Sequence, residues 1–170
     1  MSLIRFNTFL ILLGSLLLSH VSSKAQQILF TIERSLNKDQ IVYFLNLDEN
    51  GHLEKENPIS LKWLDNEKTG ELVPIDWIKK KYGYGIVILS QEAQELTFKF
   101  VSYDEKLFIL KKDLFGNYEV FAKINDRMMK IRHVYLKIDD VSFWKPNIAE
   151  VSVLGVSEFA NTEVKETFNP

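Results

Sequence analysis

There is no cysteine anywhere in the 170 residues. That excludes disulfides, thiolate metal sites and a lipid-modified cysteine, so stability has to come from burial. Histidine is almost as scarce, with three in the chain. No His or Cys pair has metal-ligand spacing, and no phosphate-binding glycine loop or nucleophile elbow is present. The sequence therefore implies no metal and no cofactor. Charge of one sign is missing too: 21 basic side chains face 23 acidic ones. A mildly acidic chain is a poor partner for nucleic acid or an anionic membrane, both of which attract clustered Lys and Arg.

The one sustained apolar run, Phe9 to Leu18, is broken by Gly14 and Ser15 and falls well short of the roughly 20 residues a membrane-spanning helix needs. Arg5 precedes it, and Ser23-Lys24-Ala25 follows as a small-residue exit. That order predicts a signal peptide over residues 1–25, cut near Ala25/Gln26, and a periplasmic or secreted product without a membrane anchor. Cleavage removes Arg5 and Lys24 and no acid, so the net charge of −2 becomes −4.

What is abundant is aromatic residues, 12 Phe, 6 Tyr and 3 Trp, set in period-two alternation. Ile59, Leu61 and Trp63 alternate with Ser60 and Lys62; Ile28, Phe30 and Ile32 alternate with Leu29, Thr31 and Glu33. Ile41, Tyr43, Leu45 and Leu47 share one face. Further strands are expected at 85–90, 96–103, 106–111, 118–124, 128–138 and 149–156, with turns at Gln91-Glu92, Asp104-Glu105, Gly116-Asn117 and Asn125-Asp126. Met129 and Ile131 have one parity and Val134, Leu136 and Ile138 the other, which predicts a β-bulge near Arg132-His133. Pro74 to Tyr82 breaks the pattern with helical spacing of Ile75, Ile78 and Tyr82, lysines in the last turn, and Gly83 as a left-handed cap.

The expected fold is all-β: an antiparallel β-sandwich, or alternatively a β-barrel, of about nine strands with one short helix. Residues 26–156 form a single β domain, and 157–170 a loose polar C-terminal tail.

Several residues are similar to a known family. Ile32-Glu33-Arg34-Ser35 with Asn37, Val42-Tyr43, Asn46-Leu47-Asp48, Asn57-Pro58-Ile59, Lys62-Trp63 and Tyr82-Gly83-Tyr84-Gly85 occur in the order and spacing of domain-of-unknown-function family 4833. The resemblance runs from Leu29 to Val156, with Lys62 standing where the family usually carries an aromatic. It implies an exported β protein of Bacteroidetes-like Gram-negative bacteria, and no activity.

Candidate sites are few. In Glu33-Arg34 one side chain faces inward or toward a sheet end, where a buried charge needs a partner; Arg34 would anchor an anionic or sugar-like ligand. Against this stands a cross-strand ion pair at the sheet rim. Lys62, Trp63, Tyr82 and Tyr84 would line a groove for a glycan or peptide, although Trp63 shares the parity of the core. Glu33, or an exposed Asp, together with His133 is the candidate for acid–base catalysis, with His133 re-aimed by the bulge. Asn46 to Gly51 matches half of a calcium loop, but Asn57 stands where a bidentate Glu is needed, so it is read as a hairpin turn. The favoured function is a non-enzymatic envelope module that binds a small ligand, a glycan or a partner protein. The alternatives are a periplasmic hydrolase or lyase using a carboxylate/His pair, and a structural protein pairing through an edge strand.

Overall fold

The computed structural model describes residues 26–141, 146–160 and 162–169. The predicted signal segment, residues 1–25, lies outside them. Among the described residues there are eleven strands: β1 Ile28–Arg34, β2 Gln40–Leu45, β3 Ile59–Asp65, β4 Glu71–Pro74, β5 Ile86–Gln91, β6 Glu95–Phe100, β7 Tyr103–Lys112, β8 Tyr118–Ile124, β9 Arg127–Val141, β10 Pro146–Val156 and β11 Glu163–Phe168. Between β4 and β5 a single helical turn, α1 (Trp77–Lys79), runs into a π-helical turn, Lys80–Tyr84. Among the described residues no helix is long and apolar enough to cross a membrane.

The fold is all-β, as its alternation predicts, in one sheet that curls into a half-barrel. Its order is β4-β3-β2-β1-β9-β8-β7-β6-β5, with β10 and β11 added beside β9. The long β9 is the branch point. Along one edge it pairs first with β8 and then with β1, while β10 runs along the other. Every pairing is antiparallel except β1 with β9, where Thr31 to Arg34 lie beside His133 to Leu136 in parallel.

The bulge in β9 falls where the parity change places it. Leu154 and Gly155 are consecutive on β10 but lie opposite His133 and Ile131, so Arg132 is the extra residue. Asn125 and Asp126 turn the β8–β9 hairpin with φ of 47° and 63°, the left-handed pair that a tight two-residue turn requires. Asp104-Glu105, in contrast, lies inside β7; that hairpin turns at Val101-Ser102. Asp48 closes the Asn46–Gly51 loop by accepting from the backbone N–H groups of Asn50 and His52, each at 2.9 Å.

The C-terminal tail is not loose throughout: Glu163 to Val156 and onward to Phe168 with Val151 form an antiparallel ladder. Alternation in β11 is present but disguised, because its inward position 166 is a glutamate. Lys106 Nζ meets that carboxylate at 2.5 Å.

The core joins the two walls of the half-barrel through aromatic rings. Phe30 of β1 stacks on Tyr43 of β2 with centroids 4.4 Å apart, and Phe100 of β6 meets both edge-on at 6.1 and 5.8 Å. Phe108 of β7 extends the cluster, 4.9 Å from Phe100. Such pairs add about 0.5–1.5 kcal/mol each beyond area burial.

Candidate functional site

Strand periodicity decides which side chains reach the interior. Phe30, Ile32 and Arg34 share one face of β1, so the last of them carries a guanidinium inward at the end of the strand. Ile59, Leu61 and Trp63 do the same on β3. Between them β2 contributes Tyr43, whose hydroxyl donates to the carbonyl of Tyr84 at 2.6 Å and fixes the π turn over the sheet end.

The sequence Tyr82-Gly83-Tyr84-Gly85 now has a physical reading. The N–H of Gly85 closes the π turn on the carbonyl of Lys80 at 2.8 Å. A Cβ at position 85 would run into that same carbonyl oxygen, so only glycine fits. Gly83 lies within the turn and has no positive φ, so the expected left-handed cap is not formed there. Tyr84 is thereby turned into the core, its ring edge-on to Trp63 at 6.2 Å. Burial raises its phenol's pKa, and the Arg34 guanidinium pulls the other way.

Arg34 and Trp63 come together at this corner. The guanidinium carbon lies 4.9 Å from the indole centroid, within cation–π range. A second cation shares the ring: Lys79 Nζ is 4.3 Å from it. Asp76 holds that lysine, with its carboxylate 3.4 Å from Nζ and Oδ1 accepting from the Lys79 N–H at 2.9 Å. Arg34 Nε is buried and has no hydrogen-bond partner among the described residues. A buried donor without an acceptor costs about 1–3 kcal/mol, so its presence calls for an explanation. Next to the corner, an apolar cavity of about 30 Å³ is lined by Ile32, Tyr84, Phe100, Phe108, Leu136 and Val153 among others.

The other expected residues lie elsewhere. Lys62 neighbours Trp63 in sequence and therefore faces the opposite side, where its ammonium sits over Phe44 at 5.5 Å. Tyr82 is exposed on the π turn beside Lys81. Glu33 and His133 do meet, at 3.5 Å, on the outer face of β1 and β9, where Gln40 Nε2 donates to Glu33 at 2.8 Å. Arg34 is on the inner face, so the three do not converge. Among the described residues no group of His, Asp or Glu is arranged to hold a metal ion.

Lys79 and Asp76 are the residues missed by the sequence reading, which assigned the lysines to the helix end. The available signal was Asp76 itself, an N-cap type three residues before Lys79. The Lys79 N–H bond, supported by the Lys79 ammonium, holds the Asp76 carboxyl below its ordinary pKa. A depressed carboxyl stabilises the fold above its unfolded pKa of about 3.9 and loses that contribution as pH falls through the lower folded value. Loss of the N-cap hydrogen bond in Asp76→Ala should cost about 1 kcal/mol at neutral pH. In urea titrations the difference from the unaltered protein should vanish at pH values below the folded pKa; a constant difference would show that Asp76 does not cap.

The family model for "Domain of unknown function (DUF4833)" matches residues 30–167, from the third residue of β1 to the penultimate residue of β11. No curated protein and no solved structure matches the chain.

Proposed function

The chain belongs to the DUF4833 family of domains of unknown function, and we propose that it is an exported, non-enzymatic binding module of the bacterial cell envelope that holds a small anionic ligand at the Arg34–Trp63–Tyr84 corner. The observation that carries this reading is the inward guanidinium whose Nε has no acceptor among the described residues. A ligand carboxylate or phosphate supplies that acceptor, and charge-assisted bonds of this kind are about twice as strong as neutral ones. Trp63 holds the guanidinium in place from below, and Lys79, itself held by Asp76, brings a second cation to the same ring. The N-terminal apolar run with its small-residue exit supports export. Binding is preferred to catalysis because the Glu33–His133 pair stands on the outer face, away from this corner.

The test is a thermal-shift screen with phosphate, citrate, glucuronate and the neutral sugar N-acetylglucosamine. At a hundredfold excess over Kd a ligand adds about 2.7 kcal/mol, which is roughly 8 °C in Tm for a domain of this size. At least one anion should give such a shift, the neutral sugar should not, and Arg34→Gln should abolish it. No response to any anion, or an undiminished response in Arg34→Gln, would overturn the reading.

A further inference from the structure

Among the described residues the branched sheet ends in three free edges, and they are not equally protected. β4 carries Glu71 and Pro74, and β11 carries Glu163, Lys165 and Glu166. Charge and proline on an edge are the usual guards against pairing with another chain. β5 has neither from Ile86 through Ser90, and its Val87, Ile88 and Leu89 are 40%, 39% and 50% exposed.

Its backbone is ready to pair as well. The carbonyl of Gly85 accepts from Val101 N–H at 3.0 Å, so Gly85 and Val87 are turned toward β6. In an antiparallel ladder the alternate residues, Ile86 and Ile88, then point their N–H and C=O groups outward. Leu89 is the extra residue of a bulge, since Ile88 and Ser90 lie opposite the adjacent Phe98 and Thr97. Ile86 and Ile88 also line a cleft of about 330 Å³ with Pro58, Ile59, Leu61 and Lys80. There is room beside the edge.

The charges at the two ends of β5 identify what fits there. Lys80 and Lys81 border the same cleft at its N-terminal end, and Glu92 follows its C-terminal end. None of the three makes an ion pair among the described residues. We propose that β5 pairs antiparallel with the β5 of a second copy, around a twofold axis close to Ile88. In that arrangement the lysine end of each copy lies beside Glu92 of the other, and the uncharged centres meet. A twofold contact uses the same patch twice, so it must be self-complementary. A strand with an apolar middle and opposite charges at its ends meets that requirement, whereas parallel pairing would set like charges together.

The test is analytical ultracentrifugation of protein expressed from its full coding sequence, over a wide concentration range. A concentration-dependent dimer is expected. Ile88→Lys, which places two lysines near the axis, should raise the dimer Kd by roughly tenfold or more. Glu92→Lys, a surface change remote from the core, should do likewise. Combining Glu92→Lys with Lys80→Glu and Lys81→Glu should restore the dimer, because the reversed ends still complement one another. A monomer at every concentration would overturn the proposal. So would a dimer indifferent to both Ile88→Lys and Glu92→Lys.

Discussion

Tyr43→Ala should cost about 4 kcal/mol in urea unfolding, the middle of the range for deleting a buried aromatic ring. The ring is fully buried, stacks on Phe30 at 4.4 Å and meets Phe100 at 5.8 Å, so its loss opens a void between both walls of the half-barrel. The void sits where strands distant in sequence meet, and local relaxation cannot fill it. Against a typical total of about 5–15 kcal/mol, that is enough to leave a measurable unfolded fraction in mildly destabilising conditions. Tyr43→Phe separates the ring from its hydroxyl. It should cost about 1 kcal/mol, by stranding the carbonyl of Tyr84 that the hydroxyl reaches at 2.6 Å.

The same residue sets an alkaline limit. Burial raises the Tyr43 phenol well above its ordinary pKa. A raised folded pKa gives stability that is intact below the unfolded value, about 10, and is lost as pH climbs beyond it toward the folded value. The Phe variant should lose less stability than the unaltered protein between pH 9 and pH 11, measured in urea at about those values. An equal loss in both would show that Tyr43 ionises as freely in the fold as outside it.

Gly85→Ala is the second large effect. The added methyl meets a backbone oxygen, the carbonyl of Lys80 that closes the π turn, and a backbone atom cannot swing aside as a side chain does. Overpacking of this kind costs about 1–3 kcal/mol. Because the turn carries Tyr84 onto Trp63, the near-ultraviolet circular dichroism of the aromatic corner should change with it. Gly83→Ala is the control. Among the described residues nothing lies within 4 Å of a Cβ there, and its φ is not positive, so the substitution should be neutral or slightly stabilising. If both variants melt alike, the close approach at Gly85 does not matter.

Much of this architecture was legible in the residues. Odd–even burial in β3, β6 and β9 is written in their sequence, and the parity break between Ile131 and Val134 located the bulge at Arg132. The parallel pairing of β1 with β9 was not legible, because partners some hundred residues apart leave no local periodic trace. β4 escaped notice as four residues ending in proline, and β11 because Lys106 satisfies an inward Glu166. At the site, Arg34 was legible as a charge needing a partner. Lys62 was misplaced by adjacency to Trp63, since neighbours along a strand occupy opposite faces. Tyr84, hard to explain between two glycines, became explicable only with the Tyr43 hydroxyl and the Lys80 carbonyl in place.

The Arg34 Nε–H and the Trp63 indole N–H can be followed directly by NMR while phosphate, citrate or glucuronate is added. If the corner binds an anion, both resonances move together along one saturable curve with at least one of these ligands, and the indole response disappears in Arg34→Gln. An Arg34 Nε–H that stays fixed while surface lysines drift without saturation would contradict the account.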